Sequence, residues 1–234
     1  VAEVEAALQM GLRAYVHKNG FNGVVLGVSG GIDSAVVATL AVDSLGPDLV
    51  HAAVMPSPWS STETQSDART LCANLGIDLH ELPIEPAMGV FDAMLASVPH
   101  GAGFDLANEN IQARIRGNLL MALSNRHGWL VVTTGNKSEL AVGYSTLYGD
   151  AAGGFGLLKD VPKGLVYALA GLRNGRPDSP IPESIITRPP SAELRPGQQD
   201  EDSLPPYELL DEILRLHVEQ RMDVDEISAR GHDR

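Results

Sequence analysis

Apolar residues in this chain fall into short continuous runs, separated by longer stretches in which they recur every three or four positions. Val24-Val25-Leu26-Gly27-Val28 is the first run; Gly30 and Gly31 follow at once, and then a helical stretch to Leu45. Residues 49–55 predict a second strand, closed by the Pro56-Ser57-Pro58 break. Residues 61–75 predict a helix, and residues 78–84 a third, weaker strand. A helix over about 86–96, a glycine-rich loop and a long helix over about 109–126 lead to a fourth strand at 129–134. Strands that read as apolar runs and alternate with helices indicate a parallel sheet covered on both faces. The fold class is therefore α/β, a doubly wound parallel sheet flanked by helices. Its ligand crevice is expected at the carboxyl ends of the strands, where the loops after Val28, Met55 and Thr134 converge.

Beyond Gly135 the pattern loosens. Residues 143–156 are rich in glycine, and residues 177–206 carry many prolines and the acidic run Asp200-Glu201-Asp202. These read as loops packed over the sheet edge, with a final helix over about 207–221. There is no internal repeat, and residues 1–234 read as one domain.

Composition narrows the function. Seventeen Lys and Arg against thirty Asp and Glu give a net charge of −13, which disfavours bulk nucleic-acid binding and a membrane-surface role. The lone Cys72 permits neither an intrachain disulfide nor a cysteine-based zinc site, and it is expected as a core thiol. No apolar run approaches the roughly 18 residues of a membrane span, and residues 1–16 lack the features of a signal peptide. The expected compartment is the cytoplasm.

The chemistry starts at Ser29-Gly30-Gly31-Ile32-Asp33-Ser34, which follows a strand and opens a helix. Glycines allow close backbone approach, and free amides at a helix start favour an anion. Ser29 and Ser34 can add hydroxyl donors. The segment has neither the lysine of a Walker A loop nor the spacing of a dinucleotide fingerprint. Asp33 beside phosphates makes sense with a bridging Mg²⁺, although a carboxylate at a helix start also suits the helix dipole. Asn110 and Arg114 lie four apart on the long helix, beside an apolar stripe of Ile111, Ile115, Leu119, Leu120 and Leu123. Glu139, in Thr134-Gly135-Asn136-Lys137-Ser138-Glu139, could complete a metal site with Asp33. Tyr144 and Asp150 belong to Gly143-Tyr144-Ser145-Thr146-Leu147-Tyr148-Gly149-Asp150, and Lys163 closes Lys159-Asp160-Val161-Pro162-Lys163.

The Ser-Gly-Gly-Ile-Asp-Ser loop resembles that of the N-type ATP pyrophosphatases. The later segments, in this order, resemble NAD synthetase, specifically the synthetase half of the glutamine-dependent enzymes. The resemblance implies ATP contacts at Gly27, Val28, Ser29, Gly30, Gly31, Ile32, Asp33, Ser34, Thr134, Lys163 and Ser191. It implies Mg²⁺ ligation by Asp33 and Glu139, and deamido-NAD contacts at Asn110, Arg114, Glu139, Tyr144 and Asp150. Asp33, Lys163 and Asp150 are the catalytic candidates. The implied reaction is adenylation of the nicotinate carboxylate of deamido-NAD, followed by displacement of AMP by ammonia. A homodimer or larger homo-oligomer is implied, with a fused or associated glutaminase as ammonia source. The glutaminase triad of Cys, Glu and Lys and the family's basic C-terminal segment have no counterpart, so the chain reads as a fragment or a synthetase-only relative. Two other readings stay open: another adenylating enzyme with the same loop, such as a relative of GMP synthetase, and a non-catalytic nucleotide-binding module. Asp33, Glu139 and Lys163 together argue against the latter, since a binder needs no metal pair beside a leaving group.

Overall fold

The computed structural model describes residues 1–98 and 106–232. In chain order the elements are α1 (Ala2–Asn19), β1 (Val24–Gly27), α2 (Ile32–Leu45), β2 (Val50–Val54), α3 (Thr62–Leu75), β3 (Asp78–Glu81), α4 (Glu85–Leu95), α5 (Leu106–His127) and β4 (Leu130–Thr133). They continue with α6 (Lys137–Ala141), β5 (Phe155–Gly156), α7 (Lys163–Asn174), α8 (Glu183–Thr187), α9 (Tyr207–Leu214) and α10 (Val224–Ser228). All strand pairs are parallel, in the order β3-β2-β1-β4-β5. The chain moves outward from β1 to β3 and then returns to β4 on the other side of β1. That reversal opens a crevice at the carboxyl ends of β1 and β4, the place where doubly wound sheets bind ligands.

Alternation along β2 shows how the sheet is covered. Val50, Ala52 and Val54 join the main core with α1, α2, α3 and α7, while Ala53 and Met55 face a smaller cluster with Ile84 and Ile115. Helix α2 is buried along most of its length, so its run of Ala and Val lets it lie close against the strands. The stripe Ile111, Ile115, Leu119, Leu120 and Leu123 packs in the second cluster with residues of α4, and so serves the core. Cys72 is buried in the main core as expected, its thiol pushed up to about 11 by burial.

The first four strands and the helices among them lie where the pattern puts them, within one to three residues. Strand β3 stops at Glu81, although Leu82 N–H to Val54 O (2.9 Å) and Ile84 N–H to Pro56 O (2.9 Å) extend its contact with the β2 side. The glycine-rich loop before α5 falls at 99–105, outside the described residues. Three features lie outside the sequence reading or differ from it. The N-terminal stretch forms α1, seated by Leu12 and Val16. Between the two stretches read as loops lies the amphipathic α7, whose Val166, Leu169, Ala170 and Arg173 turn inward, and within residues 177–206 the short α8 replaces part of the expected loop. The helix expected last, over about 207–221, is α-helical to Leu214 and then widens into a π turn over Arg215–Glu219, ending before Arg221 at φ 58°, and α10 follows it.

Candidate functional site

The loop after β1 is shaped by Gly30. Its φ of +84° disfavours any side chain, and a Cβ there would lie 2.2 Å from the carbonyl oxygen of Thr64. The serine hydroxyls are tied into the loop: Ser34 Oγ donates to Gly31 O (3.0 Å) and accepts from Ser29 N–H (3.2 Å), and Ser29 Oγ accepts from Gly31 N–H (3.2 Å). Gly31 is the N-cap of α2.

Asp33, in the first turn of α2, faces the start of α6 and α7. Asn136 is fully buried and joins two elements: its Oδ1 caps α6 by accepting Glu139 N–H (3.0 Å), and its Nδ2 donates to Asp33 Oδ1 (2.8 Å). Lys163, the first residue of α7, is 1% exposed. Its ammonium donates to Asp33 Oδ2 (2.5 Å) and Glu139 Oε1 (3.1 Å) and lies 5.0 Å from the centre of the Tyr207 ring. One buried ammonium between two carboxylates leaves a net negative charge. Burial first, and the neighbouring Asp33 second, push the Glu139 carboxyl up to about 7. The opposing charges hold Lys163 firmly protonated despite its burial.

These groups open on a cavity of about 470 Å³, within the range of small-molecule sites. Gly27, Val28, Ser29, Gly30, Gly31, Ile32, Asp33, Ser34, Asn110, Thr134, Glu139, Tyr144, Asp150, Lys163 and Ser191 all line it. Tyr144 OH donates to Asp200 Oδ1 (3.2 Å), and Thr146 bridges two sequence motifs by donating its hydroxyl to Asn110 Oδ1 (2.8 Å) and its N–H to Asp150 Oδ1 (2.7 Å). Desolvation raises the Asp150 carboxyl above the usual range.

Arg114 is the exception. It is exposed, donates Nε–H to Leu147 O (3.2 Å) and does not line the cavity. The reason is helical geometry. The face of α5 toward the cavity runs through Leu106, Glu109, Asn110, Ala113, Arg116, Gly117 and Leu120, at three- and four-residue steps. Position 114 lies roughly 100° around the helix from that stripe's centre, whereas Arg116 lies on its edge. Arg116 donates Nε–H to Met55 O (3.0 Å), and burial lowers its pKa to about 10. Sequence reasoning missed it, although extending the stripe from Asn110 finds it. It also missed Arg188, which donates to Gly30 O (3.2 Å) and pairs with Asp67.

Among the described residues, the lining carries three basic and six acidic side chains, an excess of negative charge for a site that would hold a phosphate anion. No cluster of three or more His, Cys, Asp or Glu among those residues is placed to hold a metal by itself. Asp33 and Glu139 nevertheless suit Mg²⁺, which commonly takes one or two carboxylates and completes its shell with phosphate oxygens and water.

A model of the NAD synthase family matches residues 4–233. The chain is 53% identical over 233 residues to a glutamine-dependent NAD(+) synthetase of Thermotoga maritima, covering 99% of this chain and 40% of that protein. Among solved structures it is similar to a glutamine-dependent NAD+ synthetase of Acinetobacter baumannii in complex with adenosine diphosphate (42% identity, TM-score 0.78, 99% of this chain and 42% of the other). It is also similar to an NMN synthetase of Francisella tularensis (30% identity, TM-score 0.83, 97% and 90%). The chain thus spans about 40% of the length of the curated relatives it matches.

Proposed function

The chain belongs to the NAD synthase family, and on that basis we propose that it amidates deamido-NAD to NAD at the expense of ATP, through an adenylated intermediate. The observation that carries this reading is the buried Asp33–Lys163–Glu139 cluster beside an amide-rich loop at the sheet's switch point. The loop from Gly27 to Ser34 receives the phosphates of ATP, with Thr134 and Ser191 completing that side of the cavity. Lys163 stabilises charge on the α-phosphate as the nicotinate carboxylate oxygen attacks phosphorus and pyrophosphate departs. Asp33 and Glu139 would hold Mg²⁺, which supplies further neutralisation of phosphate charge when bound. Asn110, Tyr144 and Asp150 contact the deamido-NAD side. Ammonia then attacks the acyl carbon, AMP leaves with one oxygen of the original carboxylate, and Asp150 is the candidate acceptor of the proton released.

Oxygen isotope transfer tests the adenylation. Deamido-NAD labelled with ¹⁸O in its carboxylate should deliver label to the phosphate of AMP; unlabelled AMP formed alongside NAD would exclude the acyl-adenylate.

This reading includes a cytoplasmic enzyme that takes ammonia from a glutaminase, as the names and greater length of the relatives suggest. It also includes a homodimer or larger homo-oligomer, for which the exposed Val90, Phe91, Met94 and Leu95 on α4 offer an apolar surface. Sedimentation of the wild-type chain and of Phe91→Glu tests that assembly. No helix among the described residues is long and apolar enough to cross a membrane.

A further inference from the structure

Helix α7 begins without a cap of its own. Its N-cap residue is Pro162, which makes no side-chain cap, so the free N–H groups of the first turn need partners from elsewhere. Two other helices supply them. Ser138 of α6, fully buried, accepts Lys163 N–H at 2.9 Å, and Asp211 of α9 accepts Gly164 N–H at 2.9 Å through Oδ2. The other oxygen of Asp211 accepts the Ser138 hydroxyl itself. Asp211 therefore grips the residue next to Glu139 and the residue next to Lys163 at once. One turn earlier on the same helix, Tyr207 sets its ring 5.0 Å from the Lys163 ammonium. Its hydroxyl donates to Asp200 Oδ2 (2.8 Å) and lies 3.4 Å from Glu139 Oε1. Leu210 and Leu214, buried on the same side, fasten α9 in this register.

We propose that Tyr207 and Asp211 are positioning residues for the adenylation reaction, acting through Ser138 and Glu139 to aim the Lys163 ammonium. The inference rests on the function proposed above. A cap whose role is confined to stability sits anywhere along a helix end. This one converges on the two acidic and basic groups of the site, and the element that supplies it contributes a second contact to the same ammonium. Sequence offers no hint of it, because Asp211 lies 73 residues from Ser138.

The test has two independent readouts on the full chain. The sequence holds four lysines, Lys18, Lys137, Lys159 and Lys163, of which Lys163 is buried, so its ammonium gives a slowly exchanging ¹⁵N-detected signal that Lys163→Met identifies. In folded Asp211→Asn this signal should shift or broaden through faster exchange. The amide can still accept one hydrogen bond, but its NH₂ confronts a donor. In steady-state assays kcat should fall roughly 10- to 100-fold, with KM for ATP changed less than about twofold, because a misaimed lysine harms the transition state more than the bound ground state. Ser138→Ala combined with Asp211→Asn should be no slower than the worse single variant, as expected for groups acting in series. An unchanged lysine signal in folded Asp211→Asn overturns the proposal whether or not the wild-type chain makes NAD. Absence of turnover by the wild-type chain counts instead against the proposed function. If Asp211→Asn does not fold, Tyr207→Phe decides: loss of one hydroxyl should still move the Lys163 signal and lower kcat, and an unmoved signal with wild-type kcat overturns the proposal.

Discussion

Replacing Lys163 by methionine keeps the length of a buried side chain and removes its charge. In the folded protein that charge lies 2.5 Å from Asp33 and 3.1 Å from Glu139, whose side chains are each 17% exposed. Breaking a buried ion pair by removing one partner costs about 3–5 kcal/mol. The amide of Asn136 still serves Asp33, and both carboxylates keep some solvent, so the lower end, about 3 kcal/mol, applies at pH 8. Glu139 already titrates near 7 with the lysine present, and loss of the cation moves it higher. A carboxyl whose folded pKa is raised favours the folded state when protonated, and that advantage is lost as pH rises through the folded value. The cost of the substitution should therefore shrink between pH 8 and pH 6. Urea unfolding at the two pH values measures both numbers. Catalytically, loss of one charge-stabilising donor should lower kcat by about 10²- to 10³-fold. A Lys163→Met protein as stable as wild type at pH 8, with the same pH slope, would refute the electrostatic account of this centre.

Gly30→Ala should weaken ATP binding by more than about tenfold in calorimetry, because a Cβ 2.2 Å from Thr64 O forces the loop or α3 to move; unchanged affinity would mean the loop does not cradle phosphate. Gly117→Ala should cost about 1–3 kcal/mol in thermal unfolding and lower kcat, since its Cβ would meet Gly149 O at 2.8 Å, beside Asp150. His51 is buried against Trp129, with ring centroids 3.6 Å apart, and desolvation lowers its pKa. The unfolded chain takes up this proton below about 6.5 while the folded chain resists it, so stability should fall as pH drops below that value. His51→Gln should flatten the dependence of melting temperature on pH between 7 and 5.5, and an unaltered slope would assign it to other groups.

What the sequence makes legible here is what repeats at short range. Val24 to Val28 and residues 129–134 announce themselves as buried parallel strands because they are almost continuously apolar, and their order with the intervening helices suffices to locate the crevice. The phosphate loop is legible for the same reason: glycine placement and a strand-to-helix switch are local facts. Helix α7, between the two stretches read as loops, has helical spacing in Val166, Leu169, Ala170 and Arg173, but Gly164 and Gly171 interrupt that pattern and leave it unassigned from sequence. Arg114 and Arg116 share a motif, and only their angle about α5 separates the exposed arginine from the one lining the cavity. Asn136, quoted as part of a motif, acquires its role from Asp33, 103 residues away. Long-range polar networks of this kind leave no periodic trace, because hydrogen bonding constrains geometry rather than spacing along the chain.

The central claim is the reaction, and product analysis tests it most directly. The chain would be incubated with ATP, Mg²⁺, deamido-NAD and ammonium, and the products resolved by chromatography and mass spectrometry. The account predicts NAD, AMP and pyrophosphate in equal amounts, dependent on all four components. Formation of the amide from nicotinate mononucleotide or of GMP from XMP, with deamido-NAD untouched, would contradict it, as would ATP binding with no pyrophosphate released.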